Sequence, residues 1–194
     1  MQTKTRPTLS SQLAAGGRIM LVTLAICGLG YPLLILAIGQ SVTPFTANGS
    51  LLRDPAGQVV GSAALAQGFS RPEYFWPRPS AVDYNAAAAG GSNLSPTNPA
   101  LHARAQELIG RLNTSPAMPV PADLVTASGS GLDPDITLSA ASCQVRRVAA
   151  ARGLPEATVA ALVERHARRP GGWLTPEPLV NVLLLNLALD RENP

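Results

Sequence analysis

The stretch that decides the fold is IMLVTLAICGLGYPLLILAI, residues 19–38, a run of 20 residues without a charge. As a helix it reaches about 30 Å, the thickness of a bilayer's hydrocarbon core. A buried helix of a soluble domain would keep one polar face, and this run has none. A cleaved signal peptide is the competing reading, because Ala37, Ile38 and Gly39 make a small-x-small site. Its apolar region would exceed the usual ~7–15 residues, so the run is read as a retained anchor. Lys4, Arg6 and Arg18 precede it, and from residue 41 onward 12 arginines face 12 carboxylates. That asymmetry predicts a cytoplasmic tail (1–18), a transmembrane helix (19–38) and an extracytoplasmic domain (41–194). The electrically neutral domain argues against a nucleic-acid partner, which needs a basic face.

Inside the span, Gly28 and Gly30 allow a neighbouring backbone to approach closely, and Pro32 removes a backbone donor. An isolated anchor needs neither feature, so these three residues are read as a packing surface for a membrane partner.

The outer segment reads as a small α/β or α+β domain without repeats. SLLRDPAGQVVGS alternates around Asp54-Pro55-Ala56-Gly57 and predicts a β-hairpin. RPEYFWPRPSAVDYN gathers aromatics between prolines and predicts extended chain. Asn98 caps a helix that opens on Pro99, with Leu101, Ala105, Leu108 and Leu112 as its seam. A short strand is predicted over residues 124–127. A second helix follows from Leu138 to Arg152, with Leu138, Ala141, Val145 and Val148 on one face and Gly153 ending it. A third opens at Pro155 and buries Val159, Leu162 and Val163. The final segment, EPLVNVLLLNLALD, predicts a helix, although its alternation also fits a strand.

Chemistry-bearing patterns are sparse. SGSGLDPDIT, residues 128–137, has the glycines of a phosphate loop, but such a loop needs a lysine and the one lysine in the chain is Lys4. Its residues are accounted for as a turn: glycines for positive φ, Asp133-Pro134 to start the turn and Thr137 to cap the next helix. Cys27 and Cys143 lie in different compartments and have no metal-ligand spacing, so neither a disulfide nor zinc is expected. His102 and His166 sit on helices with no nucleophile pattern nearby. Asn48, Asn93 and Asn113 begin N-x-[ST] triplets that chance supplies in a Ser-rich chain. The pairs Arg146-Arg147 and Arg168-Arg169 are placed near helix ends, where the macrodipole favours them. No catalytic residue and no metal site is assigned.

Five stretches together carry a resemblance: YFWPRPSAVDYN, GGSNLSPTN, VTASGSGLDPDIT, QVRRVAAARGL and VNVLLLNLALD, in this order behind one membrane helix. The chain from residue 19 onward resembles the KdpC family, the C subunit of the bacterial potassium-transporting ATPase. It departs from the family's pattern in having Ala89 before Gly90, Asp135 where histidine is usual and Leu138 where proline is usual. The resemblance implies a non-catalytic accessory subunit of a high-affinity potassium uptake complex in the bacterial inner membrane. Implied partners are a channel-like potassium-binding subunit, a P-type pump subunit that hydrolyses ATP through an aspartyl phosphate, and a very small fourth subunit. It also implies a role in assembly and as a catalytic chaperone that raises the pump's affinity for ATP, with Gly90, Gly91, Ser92, Asn93, Leu94 and Gln144 as the nucleotide-related candidates. The predicted topology puts those residues outside, while ATP is inside. The expectation is therefore no cofactor of its own, and an effect on ATP affinity that travels through the membrane subunits. The alternative reading is a stand-alone anchored binding module with Tyr74, Phe75 and Trp76 as its ligand surface.

Overall fold

A computed structural model describes residues 8–54, 56–112 and 119–192. The positions of Lys4, Arg6, Pro55 and Asn113 lie outside the described residues. The chain divides into two compact units, Met1–Ser50 and Leu51–Pro194.

The first unit is dominated by one helical run, Leu9–Val42, 34 residues long and without a buried residue in its apolar window. At 1.5 Å per residue it spans about 51 Å, so it continues beyond the predicted 19–38 at both ends. Thr8 caps it, its Oγ1 accepting from the Ser11 N–H at 3.4 Å. The run comprises α1 (Leu9–Thr23), a π-helical stretch (Leu24–Gly30) and α2 (Tyr31–Val42). A single turn, α3 (Pro44–Ala47), follows, steadied by paired amides of Gln40 and Asn48. Among the described residues one helix is long and apolar enough to cross a membrane, in agreement with the sequence reading.

The second unit is α+β. A hairpin of β1 (Leu51–Arg53) and β2 (Val59–Ser62) pairs antiparallel, with Leu52 opposite Gly61. The carboxylate of Asp54 accepts from the Gln58 N–H at 2.8 Å and closes the predicted turn. A second sheet has the order β3-β5-β4, formed by Asp135–Thr137, Leu179–Asn181 and Ala167–Arg168. Both of its pairings are antiparallel, with Ile136 and Ala167 each opposite Val180. Helices α4 (Pro99–Leu112), α5 (Leu138–Arg152), α6 (Glu156–His166) and α7 (Val182–Glu192) complete the unit. The core joins α5, α6, α7 and the three-stranded sheet: Val148, Val159, Val180 and Leu185 are fully enclosed.

The helix boundaries follow from caps. Asn98 Oδ1 accepts from the Ala100 N–H at 2.9 Å. Thr137 Oγ1 accepts from the Ala140 N–H at 3.2 Å, and Gly153 ends α5 at φ +66°. Asn181 Oδ1 accepts from the Leu184 N–H at 3.1 Å at the start of α7.

Two expectations are corrected. Residues 124–127 form no strand: Ala122–Leu124 is a 3-10 turn, continued by Thr126 Oγ1 donating to the Ala122 carbonyl at 2.7 Å. Asp123 in that turn accepts from the Thr137 N–H at 2.9 Å, so the strand at this edge is β3 instead. The C-terminal segment is not one helix, because β5 occupies its first residues and Asn181 starts α7 only afterwards.

Candidate functional site

Two side-chain assemblies organise the second unit. The first holds the aromatic segment, residues 71–77. Its prolines, Pro72 and Pro77, cannot donate to a sheet ladder, and the segment lies in no strand. Helix side chains supply the missing partners. Asn186 of α7 accepts from the Phe75 N–H at 2.8 Å and donates to the Phe75 carbonyl at 3.0 Å. Gln144 of α5 does the same for Trp76, at 2.8 and 3.0 Å. Arg147 donates to the carbonyls of Pro72 and Tyr74, and Arg152 to that of Glu73. Arg152 also pairs with Asp190 at 2.6 Å.

This geometry explains the burial. Phe75 is 0% exposed, and Gln144 and Asn186 are 1% and 2% exposed. The Arg147 guanidinium lies 3.8 Å from the Trp76 ring centroid and donates to the Gln144 Oε1 at 2.6 Å. Burial lowers the Arg147 pKa to about 10, the larger effect over the neighbouring Cys143. Burial likewise pushes the Cys143 thiol up, away from the reactive thiolate.

Of the aromatic triplet, Phe75 is core and so no ligand surface, whereas Tyr74 and Trp76 are half-buried beside arginines. Nor is Arg146-Arg147 at a helix end. It sits inside α5, and Arg147 serves the segment rather than the macrodipole. Arg168 belongs to β4 and pairs with Asp135 at 2.8 Å. Arg152, Asn186 and Asp190 have no partner assigned in the sequence reading, and Arg147 only a helix-end role. One available signal was the asparagine within VLLLNLALD, since a polar side chain in an apolar run needs a buried partner.

The second assembly is a contact between glycine loops. The Gly90 N–H donates to the Ser130 carbonyl at 2.7 Å. A Cβ on Gly91 would stand 3.0 Å from the Gly129 carbonyl oxygen, and one on Gly131 only 2.8 Å from the Gly90 oxygen. Gly131 has φ +69°, as the turn requires, whereas Gly129 is not among the positive-φ glycines. The Ser128 N–H bonds the Pro79 carbonyl, the Leu132 N–H bonds Ser130 Oγ, and the Asp135 N–H bonds Asp133 Oδ1. These amides are spent on closing the turn. Asp83, Tyr84 and Asn93 beside it also have positive φ, between 50° and 57°. Of the nucleotide-related candidates, Gly90 and Gly91 thus meet the 128–131 loop, Asn93 is exposed, Ser92 and Leu94 are half-buried, and Gln144 is committed to Trp76. Among the described residues no group of three or more His, Cys, Asp or Glu is arranged to hold a metal.

Comparison with known proteins decides the family. A profile described as "K+-transporting ATPase, c chain" matches residues 13–191. The chain belongs to the KdpC family. It is 52% identical over 174 residues to the potassium-transporting ATPase KdpC subunit of Parvibaculum lavamentivorans, covering 90% of this chain and 93% of that protein. The KdpC subunit of Sorangium cellulosum is 53% identical over 178 residues, covering 89% and 93%. That of Burkholderia mallei is 49% identical over 178 residues, covering 89% and 92%. The family match takes in both units, the long apolar helix and the α+β domain together.

Proposed function

We propose that this KdpC-family chain is the accessory, non-catalytic subunit of a high-affinity ATP-driven potassium uptake complex. The single observation behind this is the match over residues 13–191, which spans the apolar helix as well as the folded unit. Its partners in this reading are a channel-like potassium-binding subunit, a P-type pump subunit and a very small fourth subunit. The anchor lies in the inner membrane with the N-terminus in the cytoplasm, a placement supported by the charge asymmetry of the chain. Assembly is the primary role. The chain carries no cofactor, and any influence on the pump's ATP affinity passes through conformational coupling between subunits. Gly90, Gly91, Ser92, Asn93, Leu94 and Gln144 act as scaffold in this account, supported by the hydrogen bonds already committed at Gly90 and Gln144.

Purification of a tagged chain from membranes in mild detergent tests the reading. The pump and channel-like subunits should come with it, and recovery of the chain without them would overturn the proposal. A reporter active only outside the cytoplasm, fused after Pro194, should be active; a signal only from a cytoplasmic reporter would reverse the topology.

A further inference from the structure

The π-helical stretch at Leu24–Gly30 sits in the middle of the apolar run and has a specific consequence for hydrogen bonding. Its ladder runs one residue longer than an α-helix, as shown by the Tyr31 N–H bonding the Ile26 carbonyl, five residues back. The next bond in that series would join the N–H of residue 32 to the Cys27 carbonyl. Residue 32 is proline and has no N–H. In the ordinary α register the same proline would withhold its donor from Gly28. Either way a carbonyl at Cys27 or Gly28 is left without its helical partner.

In water such a carbonyl is hydrated at little cost. In hydrocarbon every backbone polar group must find a partner within protein. The helix offers none at this level, since the Tyr31 N–H is taken by the Ile26 carbonyl and Pro32 has no N–H. Nor does this chain explain its own glycines there. A Cβ on Gly28 would meet only the flexible Leu24 side chain, at 3.2 Å, and one on Gly30 would stay 3.5 Å from the Ala25 oxygen. The two glycines open the way to the unpaired carbonyl from outside.

We propose that the Cys27 carbonyl, which faces Pro32 in the register set by the Tyr31–Ile26 bond, is a docking point for a hydrogen-bond donor side chain, a hydroxyl or amide, on a neighbouring transmembrane helix of another subunit. This rests on the reading of residues 19–38 as a membrane span within an ATPase complex. The donor enters over Gly28 and Gly30 and takes the place of the N–H that Pro32 lacks. The interaction fixes both the rotation of the anchor and its depth, because the acceptor occurs at one level of the helix.

The cysteine content makes the test direct, since the chain has two, Cys27 and Cys143. In the full-length Cys143→Ala chain, a carbon-13 label on the cysteine carbonyl reports Cys27 alone by isotope-edited infrared spectroscopy. The chain by itself in lipid bilayers should give the high carbonyl frequency of an unbonded group. The same chain in the purified ATPase complex in the same lipid should give a lower, hydrogen-bonded frequency. An intact complex in which the frequency does not move overturns the proposal while leaving subunit membership standing. A low frequency already present in the chain alone also overturns it, because then a second copy or water supplies the donor. Failure of the labelled chain to enter any complex is a different result and counts against the family role instead. Pro32→Ala restores the donor at position 32. It should give the low frequency in both states and reduce recovery of the complex severalfold, whereas unchanged recovery with an internally satisfied carbonyl would remove the docking role.

Discussion

Asn186→Ala is expected to be among the costliest single changes in the second unit. The side chain is 2% exposed and its two bonds satisfy both backbone groups of Phe75, at 2.8 and 3.0 Å. Truncation removes two hydrogen bonds, each contributing about 1 kcal/mol net. It also strands a buried N–H and a buried carbonyl, at about 1–3 kcal/mol each if water cannot follow. Phe75 is fully enclosed, so access for water is poor. Allowing for partial relaxation, the expected loss is about 3 kcal/mol, which corresponds to roughly 10 °C in melting temperature for a unit of this size. The chain has two tryptophans, Trp76 against Arg147 and Trp173, which is 90% exposed. Trp173→Phe therefore leaves fluorescence from Trp76 as a local reporter of the same segment, followed during melting of the full chain in detergent. Asn98→Ala, the same chemical change at a surface cap, should cost only about 1 kcal/mol. If Asn186→Ala and Asn98→Ala melt within about 2 °C of one another, the clamp carries no special energy and the reasoning fails.

Three further outcomes are expected. Gly131→Ala should cost about 2 kcal/mol, because φ is +69° and the new Cβ would meet the Gly90 oxygen at 2.8 Å, whereas Gly129→Ala, with open space around it, should stay within about 0.5 kcal/mol; equal effects in denaturation would refute the assigned turn. Burial raises the Tyr84 phenol above its ordinary 10, so the unfolded chain loses this proton first as pH rises, and stability should fall above pH 10 by an amount that Tyr84→Phe reduces; an unaltered alkaline limb in melting curves would exclude this group as the cause. ATP should not stabilise the full chain purified without its partners: a ligand at 100 times its dissociation constant would add about 2.7 kcal/mol, so a clear nucleotide-dependent melting shift would show direct binding.

Much of the architecture is legible from local chemistry. Caps and glycines bound α4 and α5 at the expected residues because Asn98, Thr137 and Gly153 act within one turn of themselves. The hairpin is legible for the same reason, with Asp54 closing its own loop. The strands of the second sheet were not. Each is only two or three residues long, too short for alternation to register, and their pairing joins Ile136 to Val180 across the chain. Residues 124–127 look strand-like by composition, yet the Asp123 carboxylate and the Thr126 hydroxyl bind backbone groups and hold a 3-10 turn instead. The clamps were hidden because Gln144 and Asn186 lie 68 and 111 residues from the backbone they satisfy.

The five stretches that carry the family resemblance prove to be one another's partners. Phe75 and Trp76 of YFWPRPSAVDYN are held by Gln144 of QVRRVAAARGL and by Asn186 of VNVLLLNLALD. Gly90 and Gly91 of GGSNLSPTN close against Ser130 and Gly129 of VTASGSGLDPDIT. The two groups meet where the Pro79 carbonyl accepts from Ser128 and where Val82 crowds Gly131. A glycine in such a loop is required by the carbonyl opposite it, and a glutamine by the peptide it pairs with. Gly90, Gln144 and Asn186 of these motifs are thus accounted for by partners inside the domain. The same accounting fails in the apolar helix. A Cβ on Gly28 would meet only the Leu24 side chain and one on Gly30 would stay 3.5 Å from the Ala25 oxygen, and Pro32 withdraws a backbone donor. The proposed partner-facing group of the anchor accordingly lies at the π-helical stretch, one turn before Pro32.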